Sequence, residues 1–277
     1  MNKQITINQH FVPQCYLKEF TTKMDGKTFV YNKKGGLLKN KYIPKSIGFK
    51  ELLYEFNLKR PDNKIENFFS KLESEYSMLS KKLLSLSEPD NFNLSNEEQI
   101  TLLLFVLRLS LGNPSQYDKN RNEDFDNMWK RELELHDLTE NEKKESLKKL
   151  DEYNRISLPT IIKVGFNEIF INQILARKKF IFYLSNGKDL FLTSDNPVLE
   201  WYTNGTGLFP GTATFSDTSY GVALSPFIHL QIIDNTDYED IPSLAICSDI
   251  KGEKAKKHNK NMFNQCDKFV YGINPII

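Results

Sequence analysis

The stretch SNEEQITLLLFVLRLSLGNP, Ser95 to Pro114, contains both ends of one helix and the middle of a core. Ser95 followed three residues later by Glu98 is a capping box, in which side chain and backbone satisfy each other's unpaired donors. Gly112-Asn113-Pro114 supplies the stop, because glycine permits the terminal turn and the proline ring cannot continue the ladder. Between these signals Leu102 to Leu107 is apolar around the whole circumference, so the helix is expected to be surrounded by other elements. The apolar run Ile100 to Leu111 is far below the roughly 20 residues that cross a bilayer, and it is broken by Thr101, Arg108 and Ser110. It reads as a buried core helix and not as a membrane span.

Upstream, Ile65, Phe68, Phe69, Leu72, Tyr76, Leu79 and Leu83 recur at steps of three and four, which predicts an amphipathic helix after the break at Arg60-Pro61-Asp62. Thr28 to Tyr31 reads as a strand running into the turn Lys33-Lys34-Gly35-Gly36, and Ser46 to Tyr54 fits either a strand or a short helix. Downstream, Tyr117 to Arg155 mixes acids and bases, reads as a pair of solvated helices, and offers a second capping box at Thr139 to Glu142. Leu158 to Arg177 has a helical period with Pro159 in its first turn.

The final hundred residues change character. Phe180 to Leu184 and Asp189 to Thr193 flank Ser185-Asn186-Gly187-Lys188, and Asn-Gly between β-rich runs predicts a hairpin. Further strands are expected at Val198 to Tyr202, Tyr220 to Leu224, His229 to Ile233, Leu244 to Cys247 and Phe269 to Tyr271, with a lysine-rich helix from about Lys251. The fold class is therefore α+β: a helical middle region packed beside a mostly antiparallel β-sheet formed by the C-terminal third plus an N-terminal strand.

The composition is that of a folded chain, 39% hydrophobic and 12% aromatic over 277 residues, which excludes a disordered or fibrous class. With 37 Lys plus Arg against 36 Asp plus Glu there is no global basic field, so any nucleic-acid contact needs a local patch. Such patches are Lys33, Lys34, Lys39 and Lys41, or Lys251, Lys254, Lys256, Lys257 and Lys260. The widely spaced Cys15, Cys247 and Cys266 form neither a disulfide framework nor a zinc site. The opening residues lack the apolar stretch of a signal peptide, and a reduced, cytoplasmic setting is the expectation.

Four stretches resemble one family of largely uncharacterised, mostly bacterial proteins, the domain-of-unknown-function family 4238. The first is Gln9-His-Phe-Val-Pro-Gln-Cys-Tyr-Leu-Lys-Glu-Phe20, the second is Ile65-Glu66 with Leu72-Glu73, and the third is Phe191-Leu-Thr-Ser-Asp-Asn-Pro-Val198 followed by Leu224-Ser225-Pro226. The fourth is Asn259 or Asn261 ahead of Val270-Tyr271. The chain departs from the family where Arg108-Leu-Ser-Leu-Gly-Asn-Pro114 stands in place of an Arg-Thr-Pro. The resemblance implies one unit over 1–277, read as an N-terminal β/loop part (1–60), a helical part (61–177) and a β-rich part (178–277). It also suggests a context of mobile elements and defence loci, and it brings no activity with it.

The residues themselves point to two chemistries. Glu66 and Glu73 are seven apart, so on a helix they share a face within about 20° and stand about 10 Å apart along the axis. Arg108, inside an apolar helix, requires a carboxylate partner, and Glu66 or Glu73 is the expected one. His10 is a candidate general base or proton shuttle, with Gln14 four residues on able to supply an amide. Asp195, presented after a strand end, is a candidate ligand or acid/base, with Ser194 and Asn196 binding substrate oxygens; the same residues also suit a capped turn. His136, His229 and His258 receive no role.

If His10, Glu66, Glu73 and Asp195 converge, Glu66, Glu73 and Asp195 suit a hard cation, Mg²⁺ or Mn²⁺, and the set reads as a metal-assisted phosphodiester hydrolase, a nuclease or toxin-like effector. With no P-loop, Rossmann fingerprint or HExxH, neither a nucleotide cofactor nor zinc is expected. The competing reading is a non-catalytic sensor or binding module, in which the polar cluster is structural and the loop Asn204 to Gly211 meets a protein partner. A third is a metal-free hydrolase using His10 and Asp195.

Overall fold

The computed structural model describes residues 5–86, 92–115, 134, 139–166, 178–202, 218–234 and 242–275. Helix α1 (Gln14–Lys18) follows the short strand β1 (Asn8–His10), with Pro13 at its N-cap. Strands β2 (Phe29–Asn32), β3 (Gly36–Leu37) and β4 (Phe49–Glu51) complete the N-terminal part. Then come the helices α2 (Lys64–Leu84), α3 (Asn96–Leu111) and α4 (Glu140–Gly165). The C-terminal part contains β5 (Lys178–Ser185), β6 (Thr193–Ser194), β7 (Leu199–Tyr202), β8 (Thr218–Ser225), β9 (Ile228–Asp234), β10 (Leu244–Asp249), α5 (Glu253–Gln265) and β11 (Phe269–Gly272). The architecture is α+β, with the C-terminal strands in a mostly antiparallel sheet.

The capping box at Ser95 forms as the sequence requires: Glu98 N–H donates to Ser95 Oγ at 3.3 Å, and Ser95 N–H donates to Glu98 Oε2 at 2.8 Å. Every residue of α3 from Phe105 to Leu111 is buried, Arg108 included. Helix α3 shares one core with Val12, Tyr16, Leu17 and Phe20 of the N-terminal segment, with Tyr76, Leu79 and Leu83 of α2, and with Phe180, Phe182, Val222, Leu230 and Ile232 of the sheet. The rings of Tyr76 and Phe105 stack face to face, 3.4 Å apart and 2° from parallel.

Among the described residues the strands form three sheets. The largest has the order β10-β5-β9-β8-β7, with only the β10–β5 pair parallel. A second has the order β3-β2-β11-β6, so the N-terminal strand β2 pairs with the last strand, Val30 opposite Tyr271. The third is the β1–β4 pair.

Two expectations from sequence are corrected. The Asn186-Gly187 turn exists, with Gly187 at φ +81°, but it does not close a hairpin. Asn186 Oδ1 accepts the N–H groups of Lys188 and Asp189, and the side-chain turn sends the chain away to β6, which pairs with β11. Strand β5 instead takes β9 and β10 as neighbours. Pro159 lies inside α4 and not in a first turn. The missing donor there is outweighed by packing, since Leu158 and Ile162 join Tyr54, Ile65 and Phe69 in a separate small core. The Thr139 capping box is formed, with Thr139 N–H donating to Glu142 Oε2 at 2.8 Å. Residues 117–133 and 167–177, and the loop 204–211, lie outside the described residues.

Candidate functional site

Arg108 is the hub of the first polar cluster. Its side chain is 1% exposed, and its guanidinium donates to the main-chain carbonyl of His10, to that of Phe11 at 3.4 Å, to the Tyr54 hydroxyl at 3.2 Å and to Glu73 Oε1 at 3.2 Å. The flat cation also lies over the Phe69 ring at 3.9 Å. Tyr54 passes its own hydroxyl proton to the carbonyl of Gly112 at 2.7 Å. Gly112 has an ordinary helical φ of −75°, so its lack of a side chain answers to space: a Cβ there would collide with the Arg108 guanidinium. The helix stop and the buried cation are thus one device.

His10, Glu66, Glu73 and Arg108 are brought together. Burial pushes the Glu66 carboxyl up to about 7, with Glu73 and Glu55 adding to the rise and Arg108 opposing it. Burial also raises Glu73, again against Arg108. His10 is held below its ordinary value, chiefly by burial, so its ring is neutral at pH 7; Nε2 is buried with no partner among the described residues. Its ring packs against Phe49, 5.4 Å between centroids. Nearby Cys15 is pushed up to about 12 by burial and by Glu73, which removes it as a nucleophile. Gln14, in the first turn of α1, is half-buried.

Asp195 shares no hydrogen bond with these four. Its carboxylate, 5% exposed, accepts the main-chain N–H groups of Asp267 (2.9 Å), Lys268 (2.8 Å) and Phe269 (2.9 Å). Burial raises its pKa, and the amide donors oppose that rise. Ser194 Oγ is buried, lies 3.4 Å from Met262 Sδ and accepts Asn196 N–H at 3.0 Å. The Asn196 side-chain amide donates to the Gln265 carbonyl at 3.5 Å. Among the described residues no three His, Cys, Asp or Glu side chains gather as a group suited to a metal ion. Of the lysine patches, Lys33 donates to the carbonyls of Asn264 and Cys266, and Lys41 pairs with Asp25 at 3.0 Å. The three cysteines are free.

Of the three histidines left without a role, His136 lies outside the described residues, and His229 and His258 form a second site. His229 of β9 and His258 of α5 are both 2% exposed, with ring centroids 4.7 Å apart at 74°. His258 Nε2 lies 2.9 Å from the Leu192 carbonyl and must donate to it, so its Nδ1 carries a lone pair. Nδ1 of each ring is buried with no hydrogen-bond partner among the described residues. Burial lowers His258 to about 4 and holds His229 well below 6.5, so both are neutral. They border a cleft of about 770 Å³ between the outer face of the five-stranded sheet and α5. The signal that marks it is helical: Lys254, Lys257, His258, Asn261, Asn264 and Gln265 all line the cleft, a polar stripe at steps of three and four.

A buried core helix whose arginine is bonded to the N-terminal segment and paired with Glu73 of α2, packed beside a mostly antiparallel sheet, defines an α+β protein. The chain belongs to the family described as protein of unknown function DUF4238, which matches residues 8–274. Neither the curated proteins nor the solved structures contain a match to it. Among the described residues no helix is long and apolar enough to cross a membrane.

Proposed function

We propose that this protein is a binding module in which the residues that look catalytic in the sequence hold the fold. The observation that carries this reading is Asp195: a carboxylate that accepts three main-chain N–H groups ties β6 to the entry of β11 and has little left for a cation or a proton. Arg108 is committed in the same way to the carbonyls of His10 and Phe11. Lys254 and Lys257 line a cleft beside His229 and His258, whose Nδ1 atoms have no partner among the described residues, and the ligand is received there.

One observation favours the second reading, a metal-assisted phosphodiester hydrolase of the nuclease or toxin-like defence type. Burial, with Glu73 adding to it, raises the Glu66 carboxyl to about 7, which suits proton transfer near neutral pH. One experiment separates the two. Purified protein is incubated with labelled RNA and DNA in Mg²⁺, Mn²⁺ or EDTA, alongside Asp195→Asn and Glu66→Gln. The binding-module reading expects intact substrate in every lane. It also expects Asp195→Asn to melt about 5 °C lower, since an amide nitrogen then faces main-chain donors and leaves a penalty of about 2 kcal/mol. Metal-dependent cleavage abolished by Glu66→Gln with no fall in melting temperature overturns it.

A further inference from the structure

The floor of the cleft is the outer face of the five-stranded sheet. Register places Tyr183 beside His229, and Gln231 beside Gly221 and then Leu199, so alternate residues of four strands share that face. At Gly221 the neighbouring side chains come down onto the backbone of this layer. A Cβ there would stand 3.1 Å from Trp201 Cζ3 and 3.4 Å from His229 Nε2, so the indole and the imidazole already close over Gly221, and a side chain at that position would have to push the indole aside. The opposite wall is α5, from which Lys254 and Lys257 line the cleft one turn apart. Lys254 Nζ lies over the Tyr183 ring at 4.2 Å. Glu200 is the one carboxylate among the described lining residues, and it receives the Ser110 hydroxyl proton from α3. The cleft is therefore flat and aromatic on its sheet side and cationic on its helix side.

We propose that this cleft binds a nucleotide unit, with the base against the cleft face of Trp201 and the phosphate toward Lys254 and Lys257. This rests on the binding-module reading and adds the chemical class of the ligand. Flat rings stack on a base without selecting it, and paired lysines attract a phosphate as point charges. Side-chain amides of Gln231 and Asn261 supply both donors and acceptors for a base edge. The volume suits a ligand of that size, within the roughly 300–1,000 Å³ common for small-molecule sites. His229 and His258, buried and neutral, back this wall with unmatched Nδ1 lone pairs or protons, polar atoms that a solely structural core would pair. The base and phosphate come either from a free nucleotide or from a single strand, and the two are distinguished by titration.

The full-length chain is titrated by calorimetry with the four nucleoside monophosphates, adenosine, inorganic phosphate and a short oligothymidylate. At least one nucleotide or the strand is expected to bind, with adenosine and phosphate each weaker by about tenfold or more, and Lys254→Gln weakening the nucleotide by about tenfold. Gly221→Val is expected to abolish binding; where it does not fold, Lys254→Gln carries the test. A strand that binds more tightly than every monophosphate identifies nucleic acid as the source, and a monophosphate that binds as tightly identifies the free nucleotide. Flat titrations throughout, or an affinity that Lys254→Gln leaves unchanged, overturn the proposal. Inorganic phosphate binding as tightly as any nucleotide overturns the nucleotide class alone and leaves the binding-module reading standing.

Discussion

Replacing Arg108 by methionine tests whether the first cluster is a lock. Methionine keeps an unbranched stem in the apolar helix and restores contact with Phe69, but it donates nothing. The carbonyl of His10 and the Glu73 carboxylate then lose their closest charged donor, and Phe11 and Tyr54 lose longer bonds. A hydrogen bond to a charged group contributes about 1.5–3 kcal/mol, so the two principal bonds alone account for about 3–6 kcal/mol. The refilled apolar volume offsets about 1 kcal/mol of this. Breaking a buried ion pair from one side costs a similar 3–5 kcal/mol or so in general. Taking about 4 kcal/mol, the melting temperature falls by about 8–16 °C for a chain of this size.

Scanning calorimetry on Arg108→Met, Glu73→Met and the double variant reads both the loss and its coupling. The double variant is expected to recover about 1–2 kcal/mol relative to the sum of the singles, because the second change removes the carboxylate that the first left unpaired. An Arg108→Met protein melting within about 2 °C of the parent refutes the lock, since an arginine held for a ligand is normally neutral or costly to stability. So does strict additivity of the two substitutions.

Three further outcomes follow from the same geometry. Gly112→Ala, at a φ of −75° where alanine ordinarily stabilises, is expected to lower stability by about 2 kcal/mol, because its methyl meets the Arg108 guanidinium; urea denaturation reads the sign. Glu66→Gln is expected to change the pH dependence of stability. The folded value of about 7 lies above the ordinary 4.5, so the wild-type carboxyl contributes fully below pH 4.5 and loses that contribution as pH rises through 7. The variant therefore matches the parent at pH 4 and exceeds it at pH 8, by about 1–2 kcal/mol once partial exposure is allowed for. For His258, held at about 4 from 6.5, the sign reverses: stability is full above pH 6.5 and falls as pH drops toward 4, and nuclear magnetic resonance of the ring protons is expected to show it neutral at pH 5.

The parts of the fold legible in the sequence are those specified by neighbours within a few residues. Ser95 and Glu98 meet across one turn, and the all-round apolar α3 is buried as its composition requires. That Arg108 pairs with Glu66 or Glu73 was legible for a related reason, because a buried cation in a short apolar helix has few ways to be satisfied; which of the two bonds it, Glu73, was not. Long-range pairing was not. Nothing local shows that β5 accepts the distant β10 in parallel, and the Asn186 side chain closes a turn that looks like a hairpin while directing the chain into a different sheet. Pro159 misled because propensity assigns it a first turn, whereas Leu158 and Ile162 hold the helix together through packing.

The candidate site divides along the same line. The four stretches of the family signature are cross-linked in pairs: the Tyr16 hydroxyl meets Thr193 Oγ1 and the Ala223 carbonyl at 2.7 Å each, Asp195 holds residues 267–269, Asn259 bonds the main chain at Leu190 and Leu192, and Arg108 joins His10 to Glu73. A polar side chain whose partners are main-chain atoms of a distant segment specifies topology, since only one arrangement of the chain satisfies it. A signature built mostly of such residues indicates how the chain closes; His10 Nε2 and Asn196 Oδ1, buried with no partner among the described residues, are the atoms in it that the fold does not use in this way. Recognition chemistry belongs at open volume lined by charged and aromatic side chains, and Trp201, Tyr183, Lys254 and Lys257 line the cleft while appearing in none of the four stretches, with the buried, unpartnered Nδ1 atoms of His229 and His258 beside them.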